Sequence, residues 1–172
     1  TTLRMLAGLI TPTRGHASLC GIDVSNSPLE ARAHLGFMTA STGLHERLTP
    51  RELLTTFGEL HGLAGSTRSA RIATLSEELD LKGFLDKKCG ELSSGQKQRT
   101  SIARALIADP KVVVLDEPTA ALDPLASDAI LELVKNSQAR GRAVLFSTHR
   151  MEEAEYLCQR LLFLRSGKVV AE

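Results

Sequence analysis

The chain predicts an α/β fold, a parallel sheet covered by helices with a helical subdomain inserted into it, and three observations lead there. The second half alternates "KVVVLDEP", a helix from about Pro124 to Arg140, "AVLFST", the helix "MEEAEYLCQ" and "RLLFLRSG". A β-α-β-α-β order requires crossovers, so its strands run parallel with helices on the sheet faces. Within it, "VVVL" is an unbroken apolar run, as in a strand buried on both faces. Residues 49–90, by contrast, carry helical patterns with no strand between them. Residues 1–48 and 91–172 are therefore expected to form the core, and about 49–90 the helical subdomain.

Local signals justify the elements in order. "TTLRMLAGLI" reads as a helix interior with Leu3, Leu6, Leu9 and Ile10 on one face. It carries no cap and no initiator Met, so the expectation is a fragment whose start lies upstream. Pro and Gly in "TPTRG" break the chain, and "HASLCGIDV" suits a strand or hairpin arm. A short helix over Pro28 to Ala33 and a short buried strand, "LGFM", follow. Thr49, Pro50 and Glu52 supply an N-cap, an N1 proline and the far half of a capping box, and Gly62 ends that helix. A further helix runs from about Thr67 to Leu79, and another opens at about Ser93, stopped by "DP" after Ala108.

Bulk properties exclude several functions. The 172 residues are 42% hydrophobic with a formal net charge of +1, enough apolar material for one real core. A charge so near neutral gives no support to a nucleic-acid binder driven by phosphate neutralisation. Aromatics are only 3%, too few for base-stacking platforms. No apolar run reaches the ~18–20 residues of a membrane span. Cys20, Cys89 and Cys158 are odd in number and scattered, as in a cytosolic protein with reduced thiols rather than a disulfide frame or a metal site.

Two stretches carry chemistry. In "GELSSGQKQRTSIARAL" the helix start leaves backbone N–H groups unpaired and partial positive charge exposed, a setting that suits an anion, phosphate above all. Ser93 and Ser94 add hydroxyls, Gly95 admits close approach, and Gln96 adds an amide; an ordinary serine cap is the competing reading. The strand "VVVLDEP" delivers Asp116 and Glu117 to its C-terminal end, where open α/β sheets place their ligands. Adjacent carboxylates favour a divalent cation, and Mg²⁺ needs few protein carboxylates beside water and phosphate oxygens. Asp116 would hold Mg²⁺ while Glu117 polarises an attacking water. His149, in "FSTH", should reach the same sheet edge and hydrogen-bond a γ-phosphate.

The order "LSSGQ", "VVVLDEPT", "AALD" and "STH" resembles the ATPase subunit of an ABC transporter over essentially the whole chain, and so a P-loop NTPase (RecA-like) fold. The resemblance identifies "LSSGQ" with the signature sequence, Ser94 replacing a glycine, and implies that residues 93–96 bind the γ-phosphate of ATP held by a second ATPase subunit. It makes Glu117 the general base, residues 120–123, ending at Asp123, the D-loop at the dimer seam, and His149 the H-loop. "TTLRMLAGLITPTRG" is similar to the helix after Walker A, which places Thr1 and Thr2 near the phosphates and the Walker A loop before Thr1. A chain without that loop is expected to bind ATP poorly. Ala40 stands where the family has glutamine, which leaves Ser41, Thr42 or a neighbour to take its place.

"GLHERLTPRELL" is similar to the branch that includes sodium-export and multidrug-export subunits. The resemblance implies ATP and Mg²⁺ as cofactors and a transmembrane permease as partner, with Leu44, Leu48 and Phe57 as candidate contacts. No nucleic acid is expected. The location implied is the cytoplasmic face of a prokaryotic cell membrane. A soluble ABC ATPase of DNA repair or translation, and a catalytically silent regulatory module, are the alternatives.

Overall fold

The computed structural model describes residues 1–41, 43–120 and 122–172. Helix α1 (Thr2–Leu6) leads to a small hairpin, β1 (Ser18–Leu19) with β2 (Ile22–Asp23), then α2 (Pro28–Ala33) and β3 (Leu35–Met38). Helices α3 (Pro50–Leu60) and α4 (Gly65–Glu78) follow, and a 3₁₀ turn at Cys89–Glu91 enters α5 (Ser94–Leu106). The remainder runs β4 (Val112–Asp116), α6 (Pro124–Ala139), β5 (Ala143–Ser147), α7 (Met151–Leu157), β6 (Phe163–Arg165) and β7 (Lys168–Ala171).

Three strands form the parallel sheet in the order β3-β4-β5, with Met38 opposite Leu115 and Asp116 opposite Ser147. Central β4 feeds both faces because successive side chains point oppositely. Val113 and Leu115 join Met38, Ile102 and Leu106 of α5, Leu54 of α3, Ile72 and Leu75 of α4 and Ile130 of α6 in one large apolar cluster. Val114 points the other way, into a smaller cluster with Ala7, Leu19, Val24 and Ala31. The helices of the middle region thus share a continuous core with one face of the sheet.

Two expectations are corrected. The last predicted strand does not extend the parallel sheet: β6 pairs antiparallel with β7 as a separate two-stranded unit. Ser166 and Gly167 both take positive φ, 50° and 75°, the backbone of a tight hairpin turn that sends the chain straight back. The first helix is also shorter than its apolar pattern. Gly8, at φ 66°, closes it by donating to Met5 O, and Leu9 N donates to Arg4 O. Leu3 and Leu6 reach the smaller cluster, whereas Leu9 and Ile10 are exposed.

Helix α3 starts as its sequence predicts. The Thr49 hydroxyl accepts from Glu52 N at 3.1 Å while Thr49 N donates to Glu52 Oε2 at 2.9 Å. All three cysteines are free thiols, and burial pushes the Cys89 and Cys158 thiols above their ordinary pKa.

Gly36 lets β3 pass close beneath α5. A Cβ there would lie 2.2 Å from Ala105 O and 2.8 Å from Pro110 Cγ. Backbone cannot retreat cheaply, so Gly36→Ala should destabilise the fold by about 1–3 kcal/mol. The check is the urea midpoint; a value equal to that of the parent would show that α5 moves freely on the sheet.

Candidate functional site

The site is built where β4 and β5 end side by side. Their register sets Ser147 against Asp116, and the Ser147 hydroxyl donates to Asp116 Oδ1 at 2.6 Å. The next peptide is held by the same residue: Glu117 N donates to Ser147 Oγ at 3.1 Å and Ser147 O at 3.2 Å. Glu117 then leaves the strand in the left-handed region, φ 52°, which costs a non-glycine residue roughly 1–3 kcal/mol. Its carbonyl oxygen and that of Pro118 accept from Gln98 Nε2, at 3.2 and 2.6 Å. Gln98 belongs to α5 and is buried, so the helix grips the turn that strains Glu117.

This turn aims the Glu117 side chain at the loop after β5, where Oε2 lies 2.8 Å from His149 Nδ1. The carboxylate is 29% exposed and the imidazole 71%, so the pair faces solvent at the sheet edge. Its arrangement resembles a base held by an orienting partner with room for a small reactant beside both. Asp116 keeps a second carboxylate oxygen beyond the one that Ser147 engages. Among the described residues no group of three or more His, Cys, Asp or Glu side chains is placed to hold a metal. An all-oxygen site with only one or two carboxylates suits Mg²⁺, which keeps water or phosphate for its other positions.

At the start of α5 the helix-capping reading is realised in the structure. Ser93 Oγ accepts from Gln96 N at 3.3 Å, and Gln96 Oε1 accepts from Ser93 N at 3.0 Å. Both side chains are engaged in a capping box. Ser93 and Ser94 are exposed, and Gly95 and Gln96 are half-buried. Gly95 has a packing reason within this chain, because a Cβ there would lie 3.2 Å from Leu122 Cδ2. The start of α5 thereby rests on the segment that leads to Asp123. Asp123 caps α6, with Oδ1 accepting from Ala126 N at 3.0 Å. Ala121, in the same expected loop, lies outside the described residues.

The structure therefore joins Asp116, Glu117 and His149 in one cluster and sets residues 93–96 against Leu122. Thr1 and Thr2 stand apart as the exposed opening of α1, and Thr1 makes no side-chain cap hydrogen bond. Ala40 is exposed just beyond β3, beside a Thr39 hydroxyl that donates to Ser41 O at 2.5 Å; Thr42 lies outside the described residues. Leu44 and Phe57 pack partly buried on the large cluster, and the Arg104 guanidinium sits 5.4 Å from the Phe57 ring centre. Leu48 is half-buried.

Sequence reasoning missed Ser147 and Gln98. Ser147 stood in the quoted "STH" without a role, and the β4–β5 register supplies one by setting it opposite Asp116. Gln98 had a readable signal, as a polar residue one turn before Ile102 on the apolar face of α5. Among the described residues no helix is long and apolar enough to cross a membrane.

Known proteins resemble this chain in sequence and in fold. A family model described as ABC transporter matches residues 1–120, and one for an AAA domain matches residues 88–154. The Nod factor export ATP-binding protein I of Burkholderia lata is 43% identical over all 172 residues, which cover 57% of that protein. The chain thus spans somewhat over half the length of such curated relatives. A solved ATP-binding subunit of an ABC transporter superposes with a TM-score of 0.90 at 32% identity, over 99% of this chain and 71% of that one. A dimeric ATP-binding cassette in a post-hydrolysis state with ADP and Pi gives 0.88 at 26%, over 99% and 77%. With the P-loop NTPase fold of these cassettes, the ordered motifs and a family match over most of its length, the chain belongs to the ABC transporter family of ATP-binding proteins.

Proposed function

We propose that the chain supplies ATP binding and ATP hydrolysis to a subunit that powers export across a membrane. The observation that carries this reading is the Glu117–His149 pair, 2.8 Å apart at the adjoining ends of β4 and β5. Glu117 acts as general base toward a water, and His149 hydrogen-bonds the γ-phosphate and keeps the carboxylate turned toward that water. Asp116 holds Mg²⁺, with Ser147 fixing its orientation. The bound metal neutralises charge on the phosphates.

The dimeric state of the ADP- and Pi-bound cassette supports a two-subunit cycle. In that cycle ATP draws two subunits together, and residues 93–96 of one approach the γ-phosphate held by the other. The positive end of the α5 dipole is the natural attraction for that phosphate, since the Ser93 and Gln96 side chains and the Gln96 N–H are engaged in the cap. Asp123 lies at the seam, and Thr1 and Thr2 lie near the phosphates of the nucleotide bound by their own subunit. Residues 49–90 form the helical subdomain, which with the Ala40 loop faces a transmembrane permease, so the protein sits peripherally on the cytoplasmic membrane face. The export role of the Burkholderia relative supports that direction of transport.

Two substitutions in the full-length protein test the reading. Glu117→Gln should leave ATP affinity intact and lower kcat by about 10²–10⁴-fold, trapping the ATP-bound dimer. Steady-state hydrolysis equal to that of the parent would remove Glu117 from the mechanism. Ser93→Arg should abolish ATP-dependent dimerisation in gel filtration, whereas Ser93→Ala, which loses only a cap of about 1 kcal/mol, should retain it. Normal dimerisation of the arginine variant would show that the α5 start does not meet the nucleotide.

A further inference from the structure

We propose that Glu153, on α7, is a positioning residue for hydrolysis, locking the His149 loop to the turn that follows Glu117. The inference rests on the function proposed above and adds to it a residue from the helix "MEEAEYLCQ", to which the sequence alone assigns no chemical role. Glu153 is 2% exposed, an unusual place for a carboxylate, which is costly to bury unless well partnered.

Its partners come from two separate strand ends. Oε2 accepts from the Thr119 hydroxyl at 2.8 Å and from the Thr148 hydroxyl at 2.7 Å. Thr119, itself buried, is two residues after Glu117, and Thr148 immediately precedes His149. One carboxylate oxygen therefore ties together the two backbone segments that carry the proposed base and its imidazole partner. Thr148 Oγ1 also accepts from Arg150 N at 3.0 Å, so the loop is held on both sides of His149. The other oxygen, Oε1, forms an ion pair with Arg150 Nη1 at 2.8 Å but accepts no hydrogen bond.

The geometry accounts for how a largely exposed imidazole keeps one position. Among the described residues the His149 side chain has one hydrogen-bond partner, the Glu117 carboxylate. Burial strengthens the Thr119–Glu153–Thr148 bridge, because its hydrogen bonds are charge-assisted and shielded from water. The bridge also joins the segment leading to Asp123 to the His149 loop. A movement of that segment at the dimer seam therefore reaches His149 through Glu153.

The experiment measures ATP hydrolysis by the full-length protein carrying Thr148→Val, Thr119→Val, both together, Thr148→Ser or Glu153→Gln. Each single valine variant removes one donor and leaves Glu153 Oε2 its other threonine, and the double variant is read for turnover once its thermal unfolding midpoint shows it folded. The expected result is a fall in kcat of about 10- to 100-fold with KM for ATP within about twofold, since displaced groups cost turnover rather than binding. The double variant should fall no further than the worse single one, because both act through one carboxylate. Thr148→Ser, which restores the hydroxyl, should recover turnover. Glu153→Gln, of similar size and still an acceptor, should fold and show an intermediate loss. Valine variants with the kcat of the parent, or a loss expressed only in KM, would overturn the positioning role while leaving ATP hydrolysis standing. A parent protein that hydrolyses no ATP would instead overturn the proposed function and this inference with it.

Discussion

The parallel register of β4 against β5 is the constraint from which the candidate site follows. It puts Ser147 opposite Asp116, and that serine then engages the Asp116 carboxylate and the Glu117 peptide at once. A slip of one residue would send every side chain of β5 to the opposite face and remove Ser147 from both contacts. The register itself is enforced by burial. Val113 and Leu115 are committed to the large cluster and Val114 to the smaller one, so β4 has no alternative placement that keeps both faces dry.

Strain at Glu117 is affordable because its surroundings over-determine it. The positive φ turns the chain out of the strand, while Ser147 holds the amide side and Gln98 the carbonyl side. This links three elements that are distant in sequence: α5, which begins within "LSSGQ", the end of β4, and the end of β5. Glu153 adds α7 to the set. The site thus depends on buried polar contacts between elements, which are worth more in a dry interior than on the surface and leave expensive orphans when one member is removed.

Helix α5 shows two demands met by one short stretch. Ser93 and Gln96 satisfy the helix start by capping each other, and Gly95 makes room for Leu122. These are reasons internal to this chain for residues that the family resemblance explains by a nucleotide. The two accounts are compatible, since a capping box leaves the positive end of the helix dipole in place.

The sequence by itself determined the elements whose signals are local. The capping box at Thr49, the short helix at Pro28, the buried strand "LGFM" and the alternation after Lys111 all stand where nearest-neighbour chemistry puts them. The pair of strand ends bearing Glu117 and His149 was legible too, because parallel strands in a β-α-β unit end on the same edge. Two local readings failed on positive-φ turns: Gly8 cut α1 short, and Ser166–Gly167 folded the last strand into its own hairpin. Tertiary structure alone decided which polar residues serve the site. Gln98 and Glu153 lie outside the quoted motifs, and Thr119, Ser147 and Thr148 lie inside them with no role assigned; their contacts exist only once register and packing bring a carboxylate, an amide and three hydroxyls within hydrogen-bond reach. Hydrogen bonds act over about 3 Å in space, and chain order does not encode that distance.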